Sequence, residues 1–304
     1  MKSFYNNKKV LITGHTGFKG AWLTQTLLNF GATVVGISLE PNTDPNLFTI
    51  LGLKDKITNH FVDIRDIEKV RTIFKDEQPE IVFHLAAQPI VRASYDDPLG
   101  TLSTNIMGTA NILDVVKELG TVKSVIIITT DKVYENKEWH YAYRENDPLG
   151  GHDPYSGSKA AADIVTNSYI QSFFNPKDFG TKHHTLVAIA RAGNVIGGGD
   201  WAEYRLIPDV IKAVYHTDTD VEIRNPESIR PWQHVLEPLL GYLMLAKELY
   251  EKKVLFSGSW NFGPNNESFV SVRALAEGAK EILGKGEYII SPDTTKHEAT
   301  LLKL

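Results

Sequence analysis

Continuous apolar runs of strand length recur along the first two thirds of the chain, and amphipathic stretches separate them. The first such runs are Lys9–Thr13, Thr33–Ser38, Ile81–Leu85 and Ser124–Thr129. A helix is predicted over Gly17–Phe30, because Leu23, Leu27 and Phe30 fall on one face. Strands that are apolar throughout are typical of a parallel sheet covered on both faces, so the alternation predicts a doubly wound α/β fold.

The alternation loosens after about Ala192, where a loop at residues 197–199 contains three consecutive glycines. Helices are predicted over Ile207–Tyr215 and Leu236–Tyr250, and over a stretch that Ser271 caps and that ends before Gly284. We therefore expect a dinucleotide-binding domain over residues 1–192 and a smaller substrate-binding lobe over most of 193–304. Some segments of the second part are expected to return to the first.

Composition excludes several classes of protein. The 304 residues carry a net charge of -5, which argues against sequence-independent binding to nucleic acid. No apolar run approaches the length of a membrane span. Cysteine is absent, which excludes thiol catalysis and thiolate metal sites and is typical of a cytoplasmic protein. The ten histidines show no metal-ligand spacing, so no metal site is predicted.

A glycine-rich turn, Gly14-His15-Thr16-Gly17-Phe18-Lys19-Gly20, leads from the first predicted strand into the first predicted helix. Backbone N–H groups at such a helix start can hold a pyrophosphate. A tight strand-to-helix turn without a ligand would use the same glycines, but the position of the turn favours a dinucleotide site of the Rossmann type.

The choice of dinucleotide depends on the end of the second strand. Ser38 stands there with Glu40 close behind as a ribose partner, and no arginine is present to meet a 2′-phosphate. These residues favour NAD over NADP, although Lys19 could serve either phosphate. Asp63 and Ile64 are expected at the adenine edge; alternatively, Asp63 caps the helix that follows.

Tyr155 and Lys159 are four residues apart and share one face of a helix. An ammonium near a phenol favours the phenolate, which can then accept a proton from an alcohol. The pair therefore predicts oxidation of a carbinol carbon, with hydride passing to the dinucleotide. Thr130, Asp131 and Lys132 end another strand; Asp131 and Lys132 are either a surface ion pair or a second acid–base pair.

These residues resemble the extended short-chain dehydrogenase/reductase superfamily along essentially the whole chain. The shared motifs are Gly14-x-x-Gly17-x-x-Gly20, His84-Leu85-Ala86-Ala87, Asn105 and Tyr155-x-x-x-Lys159. Within the superfamily the chain is most similar to the 4,6-dehydratases that act on CDP-glucose. The narrower motifs are the turn Gly14–Gly20, Thr130-Asp131-Lys132-Val133-Tyr134, Arg191–Trp201 and Ile229–Pro238. Related dehydratases for other nucleotide sugars usually carry Asp-Glu in place of Asp131-Lys132.

The resemblance implies a role for each site residue. Tyr155 takes the proton of the sugar 4-hydroxyl, Thr130 binds the same oxygen, and Lys159 lowers the pKa of Tyr155 and holds the nicotinamide ribose. Lys132 removes the C5 proton, for which its pKa must be depressed, and Asp131 protonates the departing C6 hydroxyl. The implied cofactor residues are Gly14, Thr16, Gly17, Phe18, Lys19, Gly20, Ser38, Asp63, Ile64, Leu85, Ala86, Ala87, Asn105, Tyr155 and Lys159.

Asn194 and Arg205 resemble positions that hold the nucleotide diphosphate, and Arg230 could bind a phosphate with both arms of its guanidinium. Gln88 and Arg92 are expected in the sugar pocket, although Arg92 could instead pair with Asp96. Similar proteins continue past the equivalent of residues 297–304 into a further strand and helix. We therefore expect either a truncated form or a shortened protein, with full activity in doubt.

Other functions remain open at this point. A nucleotide-sugar 4-epimerase shares the tyrosine–lysine pair and the cofactor but does not need Asp131 and Lys132. A non-catalytic dinucleotide sensor on the same fold would be expected to lack Tyr155 or Lys159. A plain alcohol dehydrogenase would not need the arginines of the second lobe. The resemblance also implies a homodimer through helices around Pro98–Leu119 and Tyr155–Phe174.

Overall fold

The computed structural model describes residues 1–217, 219–284, 286–291 and 299–304. The α-helices are α1 Lys2–Tyr5, α2 Phe18–Asn29, α3 Leu47–Ile50, α4 Ile67–Glu77, α5 Val91–Asp96, α6 Pro98–Leu102, α7 Gly108–Leu119, α8 Pro154–Phe173, α9 Leu206–Lys212, α10 Leu236–Tyr250 and α11 Val272–Leu283. The strands are β1 Lys9–Thr13, β2 Thr33–Ser38, β3 Thr58–Phe61, β4 Ile81–His84, β5 Ser124–Ile128, β6 Leu186–Ala192, β7 Val195–Ile196, β8 Val221–Ile223, β9 Ile229–Pro231, β10 Gln233–His234, β11 Gly258–Phe262, β12 Phe269–Ser271 and β13 Tyr288–Ile290. Single 3-10 turns lie at Leu53–Asp55, Asp131–Val133, Pro176–Asp178, Val254–Phe256 and Asn266–Ser268, and π-helical turns at Ser103–Met107 and Ala213–Thr217.

Seven parallel strands form the central sheet in the order β11-β6-β5-β4-β1-β2-β3. Val10 of β1 pairs with Val34 of β2 on one side and with Ile81 of β4 on the other. Strand order therefore reverses between β1 and β4, which is where ligands bind in open α/β sheets. The predicted Rossmann-type fold is confirmed.

Both faces of this sheet are covered, as the unbroken apolar strands predict. Val10 and Ile12 pack with residues of α2 and α10 on one face, whereas Leu11 packs with residues of α4 and α7 on the other. Successive side chains of a strand point to opposite faces, so a strand that contributes to two cores must be apolar at every position.

The predicted elements agree with the structure to within a residue at most ends. The first predicted helix, Gly17–Phe30, corresponds to α2, which is one residue shorter at each end. Helix α10 has the predicted bounds. The predicted helix Ile207–Tyr215 is α9 followed by a π-helical turn. The Ser271 side chain accepts a hydrogen bond from the Ala274 N–H at 3.1 Å, which confirms the predicted cap of α11.

Residues after β6 form a smaller layer over the carboxyl ends of the sheet strands. It contains three two-stranded sheets, which are β7 with β10, β9 with β12 and β8 with β13, around a small core that includes Val210, Val221 and Ile223. Two described segments after β6 return to the large sheet, since β11 pairs with β6 and α10 packs on one face. None of the helices described is long and apolar enough to cross a membrane.

Candidate active site

A cavity of about 630 Å³ opens at the carboxyl ends of the sheet strands, below the smaller layer. Most residues predicted for the site lie on its wall. They are Gly14, Thr16, Gly17, Phe18, Lys19, Gly20, Ser38, Asp63, Ile64, Leu85, Ala86, Ala87, Thr130, Asp131, Lys132, Tyr155, Lys159, Asn194, Arg205 and Arg230. The structure therefore brings residues from 14 to 230 of the sequence to one place.

The glycine-rich turn is tight because it has no side chains where backbone segments meet. Gly14 has a φ of +77°, and a Cβ there would lie 2.7 Å from the Ala86 nitrogen. A Cβ on Gly20 would lie 2.1 Å from the Gly14 carbonyl oxygen. Helix α2 starts after Gly17 without a side-chain cap, which leaves its first N–H groups for an anion.

Thr16 connects this turn to the end of β2 by hydrogen bonds. Its hydroxyl donates to the Leu39 carbonyl oxygen at 3.0 Å and lies 2.7 Å from the Ser38 hydroxyl. Ser38 and Glu40 consequently stand on the cavity wall beside the glycines, as predicted for ribose partners.

Asp63 is engaged by a residue that the sequence reasoning did not select. The Arg65 side chain and N–H both donate to its carboxylate, and the hydrogen bond from the guanidinium holds the pKa of Asp63 below its usual value. Helix α4 is capped instead by Asp66, whose carboxylate accepts from the Lys69 N–H. The Asp63-x-Arg65 spacing was the available signal for this pair.

Thr130 and Asp131 follow directly from β5. The Thr130 hydroxyl donates to one Asp131 carboxylate oxygen at 2.9 Å. The other oxygen, Oδ2, is buried and has no hydrogen-bond partner among the residues described. A buried carboxylate oxygen without a partner costs free energy, so it marks a position where a ligand group completes the site. Lys132 also lines the cavity and is half-buried.

Helix α8 carries the tyrosine and the lysine on its first turns. Asp153 caps it by accepting the Ser156 N–H at 2.9 Å, and Pro154 occupies its first position. Tyr155 and Lys159 are both buried, and the Lys159 ammonium donates to the Ile128 carbonyl oxygen at 2.8 Å. The end of β5 and the start of α8 are thereby joined.

Burial sets the protonation of this pair in the protein alone. Burial raises the pKa of Tyr155 to about 12, and interaction with the Thr130 hydroxyl only partly opposes the rise. Burial lowers the pKa of Lys159 to about 8, with Asp163 acting in the opposite direction. In the protein alone, burial is the largest influence on the Tyr155 pKa. The lowering of that pKa by Lys159 stays a prediction.

Lys19 reaches from the glycine-rich turn into the cavity. Burial, followed by the charge of Arg205, lowers its pKa to about 8, whereas Asp131 acts in the opposite direction. Its ammonium also lies 5.7 Å from the centre of the Tyr242 ring. The pKa of Lys19 therefore depends both on the charge of Asp131 and on that of Arg205 in the second lobe.

Two predicted residues, Gln88 and Asn105, are not on the cavity wall. The Asn105 amide donates to Ser158 Oγ at 2.8 Å and accepts from the Gln88 N–H, while the Gln88 amide donates to the Thr101 hydroxyl. Both amides are used within the protein, so they hold the wall in place from behind. Direct contact with a ligand stays a prediction for them.

The predicted arginines of the second lobe are already paired. Arg205 donates to Asp200 at 2.7 Å, and Arg230 donates to the carbonyl oxygens of Ile229 and Ala299. The sequence reasoning missed Tyr204 and Arg224: the Tyr204 ring lies 5.3 Å from the guanidinium of Arg92 and 5.5 Å from that of Arg224. Arg224 directly follows β8, which was the available signal.

The uncapped start of α2, the close approach at Gly14 and the open Asp131 oxygen fit a dinucleotide beside a second ligand. Together with the Tyr155–Lys159 pair, they define an extended short-chain dehydrogenase/reductase. The sequence matches the family described as GDP-mannose 4,6 dehydratase over residues 11–282. The chain belongs to this family.

A curated relative supports this assignment, and solved structures show a similar fold. The chain is 49% identical over 304 residues to the CDP-glucose 4,6-dehydratase of Salmonella typhimurium, covering 100% of this chain and 84% of the relative. In fold it is similar to Thermus thermophilus UDP-glucose 4-epimerase in complex with NAD, with a TM-score of 0.83, 22% identity and coverage of 97% and 90%. The dTDP-glucose 4,6-dehydratase of Bacillus anthracis, also in complex with NAD, gives a TM-score of 0.78, 22% identity and coverage of 98% and 87%.

Proposed function

We propose that this chain is a nucleotide-sugar 4,6-dehydratase that converts CDP-glucose to CDP-4-keto-6-deoxyglucose with NAD. The observation that carries the proposal is the buried Asp131 carboxylate, with one oxygen on Thr130 and the other open, on the same cavity wall as Tyr155. An epimerase has no step that needs this acid. The 49% identity over the whole chain to a CDP-glucose 4,6-dehydratase supports the choice of substrate.

The dinucleotide, when bound, accepts hydride from C4 of the sugar and returns it to C6. Tyr155 accepts the proton of the 4-hydroxyl, which Thr130 holds by a hydrogen bond. Burial raises the Tyr155 pKa to about 12, and the charge of Arg205 acts in the opposite direction, towards the phenolate. Lys159, fixed on the Ile128 carbonyl, orients the nicotinamide ribose.

Elimination of water uses the next two residues of the chain. The 4-ketone acidifies the C5 proton, Lys132 removes it, and Asp131 gives a proton to the departing C6 hydroxyl. Lys132 returns its proton to C5 when hydride adds to C6. Asn194, Arg205 and Arg230, on the lobe side of the cavity, hold the diphosphate. In this proposal residues 1–192 bind the dinucleotide and most of residues 193–304 bind the nucleotide sugar.

The residues at the end of β2 favour NAD over NADP. Ser38 and Glu40 line the cavity there, and a carboxylate repels a 2′-phosphate. Arg65 also lies on the cavity wall, but its guanidinium forms an ion pair with Asp63. Calorimetric titration should therefore give tighter binding for NAD, and Glu40→Gln should narrow the difference. Equal affinities in the unaltered protein would contradict this choice.

A homodimer is proposed through α6, the following π-helical turn and α8. Leu99 is 78% exposed, Met107 55%, Ile164 56% and Phe173 47%, and exposed apolar side chains of this size favour burial against a partner. Ile164→Asp should yield monomers in analytical ultracentrifugation, whereas Leu255→Asp, at another exposed leucine, should leave the mass unchanged.

The decisive test is mass spectrometry of CDP-glucose after incubation with the protein and NAD, with UDP-, dTDP- and GDP-sugars in parallel. Loss of one water from CDP-glucose, abolished by Tyr155→Phe and by Lys132→Ala, is expected. Tyr141→Phe, at an exposed tyrosine outside the cavity, is the matched control. Unchanged mass with conversion to the galacto isomer would instead establish an epimerase.

A further inference from the structure

A buried ion pair lies one turn beyond the catalytic lysine and outside the cavity wall. Asp163 is the third residue of the series Tyr155, Lys159, Asp163 along α8. Arg191 on β6 binds both of its oxygens, with Nε to Oδ2 and Nη2 to Oδ1 each at 2.8 Å. The two side chains are 2% and 3% exposed. No step of the proposed reaction uses either of them.

The pair is connected to the catalytic strand. Asp163 also accepts a hydrogen bond from the Thr129 hydroxyl at 3.2 Å, and Lys159 donates to the preceding carbonyl, that of Ile128, at 2.8 Å. Two side chains one helical turn apart therefore fasten α8 to two consecutive residues at the end of β5. Thr130 and Asp131 are the next residues, so the same contacts set their position relative to α8.

Arg191 is itself held from other segments of the chain. Its Nη1 donates to the Tyr134 hydroxyl at 2.8 Å and to the Glu145 carbonyl oxygen at 2.9 Å, and its Nη2 donates to the Ser259 hydroxyl at 3.0 Å. The Tyr134 hydroxyl donates in turn to Asn261. The guanidinium is thereby fixed, and it presents Asp163 in one orientation.

Stability alone does not account for such a pair, because apolar residues of similar volume often serve as well or better in a core. Asp163 lies at i+4 from Lys159, the spacing at which a carboxylate attracts an ammonium. Because Arg191 occupies both oxygens, the Lys159 ammonium is left on the Ile128 carbonyl at the cavity wall.

We propose that Asp163 and Arg191 are positioning residues, which align Thr130 and Asp131 with Tyr155 and keep Lys159 charged and facing the substrate. The inference rests on the proposed function for its effect on turnover. Its effect on Lys159 can be measured without substrate or dinucleotide.

The other ionisable groups around Lys159 come from several elements. They are Lys19 of α2, His84 of β4 and, on its own helix, Tyr155 and Asp163, with Arg191 of β6 behind Asp163. The carboxylate of Asp163 raises the Lys159 pKa against the effect of burial. Replacing it with a neutral amide leaves the Arg191 charge uncompensated, so Lys159 should lose its proton at lower pH.

The first experiment measures the acid dissociation constant of Lys159 by competitive labelling with acetic anhydride across pH, read by peptide mass spectrometry on the protein without dinucleotide. Asp163→Asn should increase this constant by about tenfold. Asp163→Glu, which keeps the carboxylate, should stay within about twofold of the unaltered protein. An unchanged constant in Asp163→Asn would overturn the electrostatic part of the proposal.

The second experiment uses Asp163→Leu with Arg191→Met, a double change that removes both charges and keeps an apolar core. The proposal expects kcat for water loss to fall at least about tenfold, with KM within about twofold, because the diphosphate residues are untouched. Unchanged kcat with an unchanged melting temperature would overturn the positioning role. If the unaltered protein dehydrates no sugar, the proposed function fails, whereas the labelling result still tests the pair.

Discussion

The two walls of the cavity are built differently. The sheet side includes the glycine-rich turn, Thr130–Lys132 and the start of α8, whereas the lobe side includes residues 193–197, 200, 204–209, 222–225 and 230. On the sheet side, groups are fixed by strand ends, as in the contact of Lys159 with the Ile128 carbonyl. On the lobe side, several are held by other side chains, as in the ion pair of Arg205 with Asp200, although Arg230 donates to backbone carbonyl oxygens. The Tyr204 ring lies beside Arg224 of the lobe and Arg92 of α5.

The strands behind these two walls differ in length and in burial. All five residues of β5 are buried, whereas β8 has three residues and an exposed Glu222 at its centre. Chemistry needs placement to a fraction of an ångström, which a large parallel sheet supplies. Recognition of a flexible diphosphate tolerates more adjustment. The comparison predicts large effects on turnover from the sheet side and smaller effects on KM from the lobe side.

Asp131→Asn should have the largest effect, because it removes the acid for the departing hydroxyl and leaves Tyr155 in place. We expect water loss to fall by about 10²- to 10⁴-fold while oxidation at C4 continues. The absorbance of reduced nicotinamide should therefore rise during turnover. Asp76→Asn, at an exposed aspartate on α4, is the control. Equal loss of oxidation and dehydration would show that Asp131 serves both steps.

Acid should destabilise the sheet side through His84, which is buried between the hydroxyls of Thr13 and Thr109. Burial, followed by the charge of Lys159, lowers its pKa to about 3. The folded state keeps the neutral form, so the penalty is absent above about pH 6.5 and grows as the pH falls towards 3. Between pH 6.5 and 4 it should reach about 3 kcal/mol.

Urea unfolding at several pH values checks this expectation. The free energy of unfolding of His84→Gln should fall less steeply between pH 6.5 and 4 than that of the unaltered protein. His184→Gln, at an exposed histidine, should leave the slope unchanged. Parallel pH curves for His84→Gln and the unaltered protein would show that His84 is not responsible.

Packing on the two sides of the cavity can be compared at two glycines, Gly20 on the sheet side and Gly278 in the lobe. Gly20→Ala forces a Cβ to within 2.1 Å of the Gly14 carbonyl, so it should cost about 1–3 kcal/mol and weaken dinucleotide binding. Gly278 lies in α11 with no atom within 4 Å of such a Cβ. Gly278→Ala should therefore stabilise by about 0.5–1 kcal/mol. Urea midpoints and calorimetric titration with NAD measure both; a destabilised Gly278→Ala would contradict the comparison.

The smallest effect is expected at Tyr204. Tyr204→Ala removes the ring between two guanidiniums, a contact that contributes about 0.5–2 kcal/mol. KM for CDP-glucose should rise by about 2- to 30-fold with kcat little changed. Tyr204→Phe keeps the ring and should keep the KM. A fall in kcat at constant KM would instead show that Tyr204 acts in turnover and not in substrate binding.

Sequence reasoning succeeds where one element decides the outcome. Strand ends of a parallel sheet converge, so the glycine-rich turn, Ser38 and Thr130 could be placed at one edge of the sheet from the sequence. Thr130 was joined to Tyr155 only through the family resemblance. It fails where tertiary packing decides. Nothing in the local pattern shows that the Asn105 amide binds the backbone of Gln88 or that the Gln88 amide donates to the Thr101 hydroxyl. The burial that raises the Tyr155 pKa is likewise set by segments distant in sequence.

The pairing of β11 with β6 also bears on synthesis of the chain. All seven residues of β6 are buried, and one of its edges is covered only when Gly258–Phe262 arrives. Roughly 65 residues separate the two strands, so at about 5–20 residues per second the edge waits for about 3–13 s on the ribosome. An apolar strand with an open edge is a site for pairing with another chain. Yield in cells should therefore respond to chaperone supply and growth temperature.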